Sequence, residues 1–160
     1  MMATVNSGDG TFSTEERAAM KQRAAELKAQ SRRGKAEEKA AADAEAVRAK
    51  IDGMAEPDRG LAKQLQQIVA EAAPELLPKL YYGQPGWAKA GKLVVFFRSG
   101  IDDKARYSTL GFAVDARLDD AAGFWPTSYA LESITDATAA AIADLVAKAA
   151  GASSQRVTTE

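Results

Sequence analysis

The sequence predicts an α+β fold: a mostly antiparallel sheet packed with helices, preceded by a charged helical arm. Three observations predict it. Residues 81–98 read YYGQPGWAKAGKLVVFFR, where aromatics crowd a Gly-Pro turn, Ala90-Gly91 makes a second tight turn, and an apolar run follows from Leu93 to Phe97. That is the pattern of a β-hairpin entering a core. Apolar residues at helical spacing lie before this region, at Leu61, Leu65, Ile68, Val69 and Ala72, and after it, at Ile142, Leu145 and Val146. Residues 13–53, by contrast, are Ala, Glu, Lys and Arg with few large apolar side chains.

The elements follow in order. Residues 1–12 are small and polar and are expected to be disordered. Ser13-Thr14-Glu15-Glu16 is a capping box, so a helix starts there and runs toward Gln30. Met20 and Leu27, joined by Ala24, give it only a narrow apolar stripe. Residues 31–50 have high helix propensity but are interrupted by Gly34, and only Val47, with Ile51 and Met54 beyond it, offers an anchor. The composition changes across Gly53–Gly60, which places the globular domain at residues 54–149. Asp58 is the expected N-cap of the first domain helix and Pro74 its stop. Leu76, Leu77 and Leu80 suggest a short second helix with Pro78 in its first turns.

Strands are expected at 87–89, 92–98, 106–114 and 125–131. The second is apolar on both sides and therefore central, with Leu93, Val95 and Phe97 on one face and Val94 and Phe96 on the other. In the third, Leu110, Phe112 and Val114 share a face; in the fourth, Trp125, Thr127, Tyr129 and Leu131 do. Thr135 or Asp136 caps a last helix, and residues 150–160 form a polar tail.

Composition excludes several chemistries. The chain has no His and no Cys. Thiol nucleophiles, disulfides, Cys/His zinc sites and imidazole bases are therefore absent. Ser108, Thr127 and Ser128 have no imidazole to activate them, and Lys89 and Lys92, on hairpin strands, are expected to snorkel to water. There is no Gly-rich phosphate loop and no dinucleotide fingerprint, so no cofactor is expected and the chain reads as a non-enzyme. The net charge of −1 gives no global field. No apolar run reaches the roughly 20 residues of a membrane span, and the N-terminus lacks the features of a secretory signal. A cytoplasmic protein without a membrane partner is the expectation.

Read in order, Pro74, the Tyr82-Gly83-x-Pro85 turn, Gly91-Lys92 followed by the strand ending Phe96-Phe97, and Leu145-Val146 resemble the YdhG-like proteins, catalogued as domain of unknown function 1801. Residues 12–21 (FSTEERAAMK), Arg106-Tyr107, Leu110-Gly111-Phe112, Leu118-Asp119-Asp120 and Trp125-Pro126-Thr127 are similar to a long-armed bacterial subgroup of that family. The resemblance implies a compact α+β fold of secretion-chaperone-like or frataxin-like architecture. It also implies a role in iron handling as an alternative function, since a relative in the wider family has been linked to one.

Three residue sets could carry function. Tyr81, Tyr82, Trp87, Tyr107, Trp125 and Tyr129 join apolar walls to polar tips, suiting a small planar ligand or a peptide. The leading expectation is a binding module whose site lies near Tyr82, Trp87 and Trp125, its partner an unidentified small molecule or protein. Asp102, Asp103, Asp115, Asp119 and Asp120 could hold a hard cation if their loops converge. Asp is also the usual residue of solvated turns, and the spacing fits no known calcium loop. Arg17, Lys21, Arg23, Lys28, Arg32, Arg33 and Lys35 could meet nucleic-acid phosphates, which gives a further alternative function, an accessory nucleic-acid binder acting through the arm. Glu residues are interleaved among them and no aromatic is there to stack bases, so a solvated helix or tether is expected instead.

Overall fold

The computed structural model describes residues 13–152. The disorder expected over residues 1–12 and most of the tail expected over residues 150–160 fall outside it. The chain forms two compact units, Met1–Lys39 and Ala40–Glu160.

Helix α1 spans Thr14–Asp52. Its start is the expected one: the Glu16 N–H donates to Ser13 Oγ at 3.1 Å. Its length corrects the reading of an interruption. Gly34 lies inside the helix, where a single Gly costs only about 1 kcal/mol against Ala, and the Ala-rich flanks carry the helix through it. Within the first unit, α1 buries nothing; Met20 and Leu27 are 54% and 56% exposed. Its last turns belong to the second unit, where Val47, Ile51 and then Met54 are buried in the core.

Helix α2 spans Asp58–Ala72 and buries Leu61, Leu65 and Val69, the face its periodicity predicts. It stops ahead of Pro74 as expected. The expected cap is wrong: Pro57 occupies the N-cap and Asp58 is the first helical residue, its carboxylate buried and turned toward a distant loop.

Five strands follow: β1 Leu77–Tyr81, β2 Gln84–Lys89, β3 Lys92–Arg98, β4 Ser108–Phe112 and β5 Ser128–Leu131. They pair antiparallel in sequence order, so β3 is the central strand and β1 and β5 are the edges. The short helix expected at Leu76–Leu80 is instead β1. Pro78 cannot donate a ladder bond, which an edge strand tolerates and a helix interior does not. Pairing with β2, Leu77 opposite Ala88 through Tyr81 opposite Gln84, decides the conformation. Strands β4 and β5 are shorter than expected. Val114 lies beyond β4 and is 97% exposed, while Trp125 and Thr127 precede β5.

The face assignment on β3 is also corrected. Trp87 pairs with Val95 but Ala88 pairs with Leu93, so Val94 is an extra residue opposite the Trp87/Ala88 step. A bulge of this kind breaks strict alternation. Val94, Val95 and Phe97 are all buried, whereas Leu93 and Phe96 are half-buried on the opposite, outer face. The inner face, with Trp87, Val95, Phe97, Leu110 and Phe112, joins the apolar sides of α2 and of α3 (Asp136–Ala149) in one core. Helix α3 is capped by Thr135, whose Oγ1 accepts from the Thr138 N–H at 3.2 Å, and buries Ile142 and Val146, with Leu145 partly covered. Among the described residues no helix is long and apolar enough to cross a membrane.

Candidate functional site

The outer face of the sheet is built around Phe96. Its cross-strand partners are Gly86 on β2 and Gly111 on β4. A Cβ on Gly111 would fall 2.1 Å from the Phe96 ring. Glycine at that position is therefore what lets the ring lie flat across the backbone of the neighbouring strand. Tyr81, at the end of β1, packs against Phe96 with ring centroids 5.2 Å apart, and Tyr82 meets Tyr81 edge-on at 4.6 Å.

Tyr82 and Gly83 form the β1–β2 turn, both with positive φ, 46° and 75°. Two consecutive left-handed residues make the turn that matches strand twist, and the first is usually Asn, Asp or Gly. Tyr there is held in a conformation that costs a side-chain-bearing residue roughly 1–2 kcal/mol. Its ring is 90% exposed, so no burial repays that cost.

Tyr81, Tyr82 and Phe96, with Gln84, Arg98 and Asp103, enclose a cavity of about 420 Å³. Its polar rim is anchored from below. Asp58 accepts the Ser99 hydroxyl at 2.5 Å, the Ile101 N–H at 3.1 Å and the Ser108 hydroxyl at 3.0 Å. Ser99 Oγ in turn accepts from the Asp102 N–H, and Ser108 Oγ from the Gly100 N–H. This buried network holds loop 99–103 in place. Gln84 then bridges to the loop, donating to Asp102 Oδ2 at 3.1 Å and accepting from the Ser99 N–H at 3.3 Å. Asp103 pairs with Arg98, and Lys50 donates to Asp102 at 2.8 Å. The Lys50 ammonium, and next the Gln84 amide, hold the Asp102 carboxyl below the usual aspartate range. The cavity thus has aromatic walls and a rim offering both hydrogen-bond donors and acceptors.

The residues singled out from sequence are not one face. Of the aromatic set, Tyr81 and Tyr82 line the outer cavity and the other four do not. Trp87 is 2% exposed inside the core and is no ligand wall. Its cross-strand partner Val95 faces inward, and Trp87 shares that face. Trp125 packs partly buried against the core, and Tyr129 lies edge-on to Phe112 at 6.0 Å. Tyr107 lines a separate, smaller cavity beside α2, under the Arg106 guanidinium.

The five aspartates are likewise dispersed. Asp102 and Asp103 face Lys50 and Arg98, Asp115 lies beside Arg117, and Asp120 caps its own loop by accepting from the Ala122 N–H. Among the described residues no three acidic side chains gather around a point where an ion could sit. Arg17, Lys21, Arg32, Arg33 and Lys35 are all exposed on α1.

Sequence reasoning missed Asp58, Gln84 and the outer placement of Phe96. The glycines two strands apart, Gly86 and Gly111, were the available signal for the last. It also missed a cleft of about 730 Å³ at the end of α3, lined by Lys89, Lys92, Arg117 and Lys148. At the helix terminus Lys89 Nζ donates to the Ala150 carbonyl at 2.7 Å, and the backbone N–H of Arg117 donates to the Ala149 carbonyl at 2.9 Å. Cations there offset the negative end of the helix dipole. No family model, curated protein or solved structure matches this chain.

Proposed function

We propose that this protein is a non-catalytic binding module that takes a small planar ligand, or the planar side chain of a peptide, in the outer-face cavity of Tyr81, Tyr82 and Phe96. The reading keeps it with the YdhG-like proteins it resembles and drops Trp87 and Trp125 from the site. One observation carries it. Tyr82 is held at positive φ and left 90% exposed, with an edge contact to Tyr81 but little burial, an arrangement that costs more stability than its packing returns. Strain of that kind is retained where it serves recognition. The neighbouring ring stack, Gln84 and the Arg98–Asp103 pair supply stacking, hydrogen bonds and charge at fixed positions.

The test is a screen of planar heteroaromatic fragments read by amide chemical shifts on the full chain. Binding is expected to move Tyr81, Gln84, Phe96 and Arg98 together. Tyr82→Gly removes the ring and relieves the left-handed strain. It should abolish those shifts while leaving stability equal or higher by up to about 1 kcal/mol. A library that perturbs only other regions, or a variant that binds as the parent does, sinks the reading.

A further inference from the structure

The continuity of α1 through Gly34 changes what its charges can do. Along the sequence, Lys and Arg alternate with Glu over residues 15–39. On an unbroken helix they separate. At 100° per residue, Arg17, Lys21, Lys28, Arg32, Lys35 and Lys39 fall within an arc of roughly 60°. Every acid of this segment, Glu15, Glu16, Glu26, Glu37 and Glu38, lies about 60° or more outside that arc by the same rotation. An interruption at Gly34 would have lost the phase between the first four cations and the last two.

The stripe runs from Arg17 to Lys39, about 33 Å at the helical rise. All six side chains are exposed. Among the described residues none of them is ion-paired. Its flanks are small, with Ala18, Ala24, Ala25, Ala29 and Ala36, so a partner can approach the helix closely.

From this we infer that residues 17–39 of α1 form a docking face for the phosphate backbone of double-helical nucleic acid, independent of base sequence. The chemistry of the stripe selects among polyanions. A membrane-surface helix needs a broad apolar face beside its cations, and here only Met20 and Leu27 are large and apolar. Single strands are held by aromatic stacking, and the segment has no aromatic residue. A narrow row of cations about one duplex turn long, free of acids and bordered by alanine, matches a repeating phosphate row. The proposal is independent of the outer-face cavity, which lies in the other unit.

Fluorescence anisotropy of the full chain against a labelled 30-base-pair DNA of arbitrary sequence tests it. With about four to five phosphates engaged, the salt slope should be near −4, roughly a 10²-fold loss of affinity between 50 and 200 mM salt. Lys28→Gln with Arg32→Gln should lower the slope by about 2 and weaken binding about tenfold at low salt. Arg23→Gln with Arg33→Gln removes the same charge from outside the stripe and should change affinity less than about twofold, since net charge alone is only a weak long-range term at this ionic strength. Gly34→Pro breaks the phase and should weaken binding about as much as the stripe pair; Gly34→Ala keeps the helix and should not. Equal losses from the two charge pairs, parental binding by Gly34→Pro, or capture by phosphatidylserine vesicles with no duplex binding would each overturn the proposal.

Discussion

Asp58 accepts the Ser99 hydroxyl at 2.5 Å across 41 residues of chain. The contact is buried at both ends, with Asp58 4% and Ser99 1% exposed. A first-turn helix residue thereby organises a loop three strands further along the chain, and the loop holds Gln84 at the outer cavity.

Removing that carboxylate should be costly. Asp58→Ala leaves the Ser99 and Ser108 hydroxyls and the Ile101 N–H without their acceptor, a loss on the order of 3 kcal/mol. Asp58→Asn keeps one acceptor oxygen and should lose less. Denaturant midpoints measure both. A loss for Asp58→Ala within the ±0.5 kcal/mol of ordinary surface changes would mean that the network does not contribute to stability.

Phe96 and Phe97 should separate, because the bulge at Val94 puts them in different environments. Phe97 is fully buried, so Phe97→Ala should cost about 3–5 kcal/mol. Phe96 is half-buried on the outer face and should cost clearly less. Gly111→Ala drives a methyl into the Phe96 ring and should cost about 1–3 kcal/mol by overpacking. It should also displace the Phe96 ring resonances. Thermal or denaturant unfolding of the three variants tests the order; equal losses at both phenylalanines would place both rings in the core.

The Lys50–Asp102 pair makes a pH prediction. Because Asp102 is held below its ordinary range in the folded protein, its contribution is complete well above the ordinary carboxylate value of about 3.9. It is lost as pH falls through the lower folded value. Both side chains are about one-third exposed, so the pair is worth no more than about 1 kcal/mol. Asp102→Asn should therefore cost a little at pH 6–7 and nothing near pH 2. A variant penalty that grows on acidification would contradict the assignment.

For metals, the spacing of the carboxylates decides the expectation. Asp102 and Asp103 face cations and Asp119 and Asp120 sit in another exposed loop. One or two carboxylates compete poorly with water, so affinity for Mn²⁺, Fe²⁺ or Ca²⁺ should be no better than roughly 10⁻⁴ M. Calorimetry on metal-free protein checks this. A stoichiometric micromolar site lost on Asp119→Asn and Asp120→Asn would favour the iron-handling alternative.

Short-range physics made much of this protein legible in its residues. The Ser13 cap, the α2 and α3 apolar faces, the Ala90-Gly91 turn and the central position of β3 depend on propensity and periodicity within a few residues. The lack of imidazole and thiol chemistry follows from composition alone. What tertiary structure decided is what depends on partners distant in the chain. Leu77–Tyr81 is a strand because β2 pairs with it. Val94 faces inward because the β2–β3 register slips by one residue. Trp87 is lost to the core and Phe96 gained for the outer cavity, since a sheet assigns faces only once its strands are aligned. On α1, Gly34 lowers helix propensity locally, but continuity through it sets the rotation of every charge on either side, and rotation cannot be read until the helix is known to be unbroken.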